Sequence, residues 1–86
     1  MTFHVTLQQR PLAFSAADLS SAREEAVSAL EAIDARFERE RDAIRNWPGS
    51  QQAKDRLLAR LHARRRAERE PLVQWLLGVG QSAAAA

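Results

Sequence analysis

The sequence predicts a mainly α protein: an antiparallel helical hairpin with a short third helix after Pro71 and a β-strand at the N-terminus. Three observations carry this. Apolar residues recur at spacings of three, four and seven over two long stretches. Between the stretches lies one compact stop signal, Asn46-Trp47-Pro48-Gly49-Ser50. Ahead of them, Phe3, Val5 and Leu7 alternate with polar residues in the period of two that belongs to a strand with one buried face.

Residues 1–14 form the strand region. Pro11 offers a turn that would return Leu12 to Phe14 as a second strand, so a hairpin is the alternative to a single strand. Nothing later in the chain reads as a strand. The edges of this one would carry unpaired N–H and C=O groups, which invites pairing with another chain.

Ser15-Ala-Ala-Asp18 has the form of a helix start, and residues 16–47 are predicted as helix one. Its stripe is Leu19, Ala22, Ala26, Leu30, Ile33, Phe37, Ile44 and Trp47. Pro48 biases Trp47 away from helical dihedrals, Gly49 tolerates a positive φ, and Ser50 is placed to cap the next helix. Helix two is expected over residues 50–70, with its stripe begun by Ala53, Leu57, Leu58 and Leu61. Pro71 removes an N–H and frees the carbonyl of Ala67, so the sequence predicts a kink or a break after Glu70: a separate apolar helix over 71–78, with a bent continuation of helix two as the equal alternative. Residues 81–86 are expected as a disordered tail. The 86 residues make one domain, with no repeat and no Gly/Ser linker.

Such a chain has little core of its own, because a domain this small buries only about 60% of its unfolded surface. Association with a second chain would supply what is missing. There is no cysteine, which excludes disulfides, thiolate zinc sites and cysteine nucleophiles. His4 and His62 lack the neighbouring ligands of a metal site, and the three glycines form no phosphate-binding loop. The sequence therefore predicts no catalysis, no cofactor, no metal and no small-molecule substrate. Leu72 to Val79 is far shorter than the roughly 20 residues of a membrane span. The N-terminus lacks a signal-peptide pattern. A cytoplasmic location without membrane contact is expected.

Charge is distributed unevenly. Residues 18–47 hold eight acids and five bases, whereas residues 50–80 hold three acids and seven bases. Glu24, Glu31 and Glu38 fall on one flank of the first helix, where an antiparallel partner would present His62, Arg66 and Arg69. Arg64 with Glu68 and Arg66 with Glu70 have i, i+4 spacing within the second helix. On the other flank Arg56, Arg60 and Arg64 form a ridge, joined across the hairpin by Arg36 and Arg39. Glu40, Arg41, Arg65 and Glu68 interrupt the apolar stripes, so either water enters the seam or these charges pair across it and fix the register.

The hairpin form resembles many small adaptor, chaperone and mobile-element accessory proteins, and no motif selects among them. The expected function is protein–protein interaction, as an adaptor, chaperone or assembly subunit, within a homodimer or a hetero-complex. Leu72, Trp75, Leu76 and Val79 are the candidates for an apolar contact, because apolar residues surround that segment and one neighbour cannot bury them all. Phe3, Val5 and Leu7 are candidates for strand addition. Arg36, Arg39, Arg56, Arg60 and Arg64 are candidates for an acidic partner. The alternative is a nucleic-acid-binding accessory protein using the same arginines on phosphates. Against it, no aromatic residue lies among them to stack on bases.

Overall fold

The computed structural model describes residues 15–85, with side chains described for residues 15–78. It consists of two helices, α1 (Ala16–Asn46) and α2 (Gln51–Ala85), packed against each other as an antiparallel hairpin. At 1.5 Å per residue their 31 and 35 residues span about 46 and about 52 Å. No strand occurs among the described residues, and the expected strand region, residues 1–14, lies outside them.

Each helix starts where its local chemistry provides a cap. The Ser15 hydroxyl accepts from the Asp18 N–H at 3.1 Å while the Asp18 carboxylate accepts from the Ser15 N–H at 3.2 Å, a complete capping box. Ser50 accepts from the Ala53 N–H at 3.1 Å through its hydroxyl and from the Lys54 N–H at 3.0 Å through its carbonyl. Between them Trp47 is extended, with φ −68° and ψ 135°, the conformation Pro48 imposes on its predecessor. Lys54 donates to the Arg45 carbonyl at 2.9 Å, placing a cation on a carbonyl that the end of α1 leaves unpaired. Gly49 does not serve through a positive φ, as the sequence suggested. Its missing side chain matters instead: the indole of Trp47 occupies the space that a Cβ would need.

A second correction concerns Pro71. The chain forms one helix through it, so the predicted third helix, residues 71–78, is the continuation of α2, and helical backbone extends to Ala85 through most of the expected tail. Ala67 and Pro71 are both exposed, so water can hydrate the carbonyl that the proline leaves without a donor. Leu72, Val73 and Leu76 are half-buried, and keeping them helical retains that packing.

The seam follows a heptad pattern. Ala26, Leu30, Ile33, Phe37, Glu40 and Ile44 in α1 alternate by three and four, as do Leu58, Leu61, Arg65, Glu68, Leu72 and Trp75 in α2. Among the described residues only Ala26, Phe37 and Leu61 are buried, and no large side chain is fully enclosed. The core is a thin strip.

Candidate interaction surfaces

The middle of the hairpin is built around Phe37. The residue is 5% exposed, and its ring stands edge-on to His62 with centroids 5.0 Å apart, flanked by the guanidiniums of Arg65 at 4.8 Å and Arg41 at 5.8 Å. Cations favour the electron-rich face of an aromatic ring, so a phenylalanine at this level tolerates arginine where the heptad calls for an apolar residue. Asp34 holds the same arginine from the side: its carboxylate accepts from Arg65 Nε at 2.9 Å and from Arg69 Nη1 at 2.6 Å. The hydrogen bond from Arg65 is the main reason its acidity is enhanced, with Arg69 adding to it, against a smaller opposing effect of burial.

Four charges close the opposite flank. Arg36 bonds Glu68 across the seam, Arg64 bonds Glu40 across the seam, and Arg36 Nε lies 3.6 Å from Glu40 within α1. The Arg64 bond is the main cause of a lowered pKa at Glu40 and of a raised one at Arg64. Of the charges that interrupt the stripes, Glu40, Arg65 and Glu68 therefore pair across the seam, whereas Arg41 bonds Glu38 within α1. The partners differ from those expected within helices, since Arg64 and Glu68 each bond α1 and Arg66 makes no ion pair with Glu70. Nor does the Glu24, Glu31 and Glu38 flank meet His62, Arg66 and Arg69 as predicted: Glu38 bonds Arg41, and Arg69 bonds Asp34.

This pairing divides the arginine ridge. Arg36 and Arg64 are matched by carboxylates of the same chain, whereas Arg39, Arg56 and Arg60 are exposed and have no ion pair among the described residues. Beside the other flank runs a shallow groove of about 310 Å³, whose described lining, including His62, Arg66, Arg69 and Val73, comes from α2 alone. Among the described residues no cluster of His, Asp or Glu is arranged to hold a metal ion, and no helix is long and apolar enough to cross a membrane.

The apolar candidates lie at the open end of the hairpin. Leu72 and Leu76 are half-buried toward α1, and Trp75 is 40% exposed. Val79 is in the helix, with its side chain outside those described, and Phe3, Val5 and Leu7 are outside the described residues altogether. Leu77, 57% exposed, is the most open large apolar side chain among the described residues, and Leu19 and Val27 join it on this end. Leu77 and Val27 stand off the two stripes because neither fits the seam period. Their misfit was the available signal, since an apolar residue off the stripe has no neighbour within the hairpin.

No family model matches the chain, and comparison with curated proteins and with solved structures finds no similar one.

Proposed function

We propose that this chain is a non-catalytic protein–protein interaction module, an adaptor, chaperone or assembly subunit, acting in the cytoplasm as a homodimer or in a hetero-complex. One observation carries the reading. Residues 71–85 contain no charged side chain, yet α1 is the only described element against them, and Trp75 and Leu77 remain open to solvent at the same end of the hairpin as Leu19 and Val27. Exposed apolar side chains concentrated at one end of a molecule are a feature of surfaces that meet other proteins. Aromatic anchors such as Trp75 often dominate the binding energy of such surfaces.

The test is to compare the full chain with a variant carrying both Trp75→Gln and Leu77→Gln, a substitution that removes the open apolar side chain from each side of α2. The expected result is that light scattering shows self-association, or affinity capture retains a defined protein, and that the substitution reduces either by tenfold or more while helicity is unchanged. Loss of tenfold corresponds to about 1.4 kcal/mol, within reach of one buried leucine. A monomer that captures nothing, or whose binding ignores the substitution, overturns the reading.

A second reading, nucleic-acid binding, is favoured by the unpaired state of Arg39, Arg56 and Arg60. It requires affinity for RNA or DNA that falls steeply with salt. Arg56→Ala and Arg60→Ala would each flatten that slope by about one unit. Absence of binding at low ionic strength removes it.

A further inference from the structure

The hairpin is charged like a bar magnet. Its open half, residues 15–33 and 70–85, holds five carboxylates and one arginine; its closed half, residues 34–69, holds eleven cationic side chains and six carboxylates. The halves therefore carry opposite net charge, −4 and +5. A rod of this kind is complementary to a copy of itself lying in the reverse direction, and repelled by a copy lying in the same direction.

The apolar residues follow the same symmetry. Leu57, 37% exposed, and Trp75, 40% exposed, stand eighteen residues apart on α2, which is five whole turns and about 27 Å, so they share one face. Midway between them on that face is the quartet Arg36, Glu40, Arg64 and Glu68. A two-fold axis crossing α2 at the level of residue 66 brings Leu57 of each copy to Trp75 of the other. The same operation sets Arg64 level with Glu68 of the second copy, and Arg56, which has no ion pair among the described residues, level with Glu25. Two helices side by side offer a face on the order of 900 Å² per copy. A stable interface uses about 800 Å² per partner.

We infer that the partner of this face is a second copy of the chain, packed antiparallel across a two-fold axis at the Arg36–Glu40–Arg64–Glu68 quartet, with Leu57 against Trp75 at both ends. This rests on the interaction-module reading and specifies its partner.

The absence of cysteine makes the arrangement directly testable. Leu57→Cys and Trp75→Cys are made separately in the full chain, and folding of each is checked by circular dichroism. Within one chain the two positions are far too distant for a disulfide, which needs Cα atoms within roughly 7 Å. The expected result is a covalent dimer when the two variants are mixed and oxidised, at least fivefold more than either variant forms alone. Self-linking of Leu57→Cys alone would overturn the antiparallel order. Sedimentation of the unmodified chain supplies a measurement independent of both variants: association should weaken as salt rises from about 0.05 to about 0.5 M, because opposite half-charges are screened. Association that is indifferent to salt overturns charge-directed packing. A chain that stays monomeric at high micromolar concentration yet captures another protein through Leu77 overturns the second copy alone. One that is monomeric and captures nothing overturns the module reading as well.

Discussion

Phe37 is the one large aromatic side chain buried among the described residues, and the surface on which Arg41, Arg65 and His62 rest. Removing a buried phenylalanine costs about 3–5 kcal/mol, a large share of what a domain this size has. Phe37→Ala is therefore expected to abolish the cooperative melt followed by circular dichroism at micromolar concentration. Asp34 and Glu40 set the acid limit. Both carboxyls titrate below their ordinary values of 3.8 and 4.5, so each contributes stability that is fully present above the ordinary value and lost as pH falls through the depressed one. Thermal midpoints should be flat from neutrality to about pH 5 and decline below about pH 4, and Asp34→Asn should lessen that decline. At this scale the sequence revealed that charges sit on the apolar face but not which partners they take. Arg65 reaches Asp34 and Arg64 reaches Glu40 only once the rotation of each helix about its axis is fixed, and that rotation depends on packing.

Among the elements, the quartet acts on register. If α2 slid by one turn in one direction, Arg36 would face Arg64; in the other, Glu40 would face Glu68. Either slip sets like charges together, so the pairing that gives little stability at an exposed site still discriminates against wrong alignments. Glu40→Arg should lower the melting temperature, and adding Arg64→Glu should restore most of the loss, a coupling that a double-mutant cycle measures. Pro71 is the weak point of α2. A proline inside a helix is less favourable than alanine by about 3 kcal/mol, so Pro71→Ala should raise stability by up to that amount and leave the helix content unchanged. A content increase would mean that the helix had been broken there. The caps and the corner were legible because each depends on neighbours in sequence: Ser15 with Asp18, Trp47 with Pro48, Ser50 with Ala53. Continuity through Pro71 was legible only as one of two alternatives, since a local penalty competes with the packing of Leu72 and Leu76 on a helix some 30 to 50 residues away in the chain.

For the molecule as a whole, the antiparallel hairpin was readable from two stripes and one stop signal. The apolar end was readable too, from a segment without charge. The opposite net charge of the two halves is present in the composition but becomes visible only after folding, when residues 15–33 lie beside residues 70–85 and the acids of α1 find no bases opposite them. The corner at Trp47 to Ser50 also has a kinetic consequence. Ile44 and Leu58 are joined by a short loop, whereas Ala26 and Trp75 can meet only after everything between them is in place, because closing a long loop costs more entropy than closing a short one. Formation should run from the corner outward, like a zip, and opening should run the other way. Amide exchange is then expected to be slowest near Leu58 and Leu61 and fastest beyond Leu72, so that the residues offered to a partner are also the first to let go of each other.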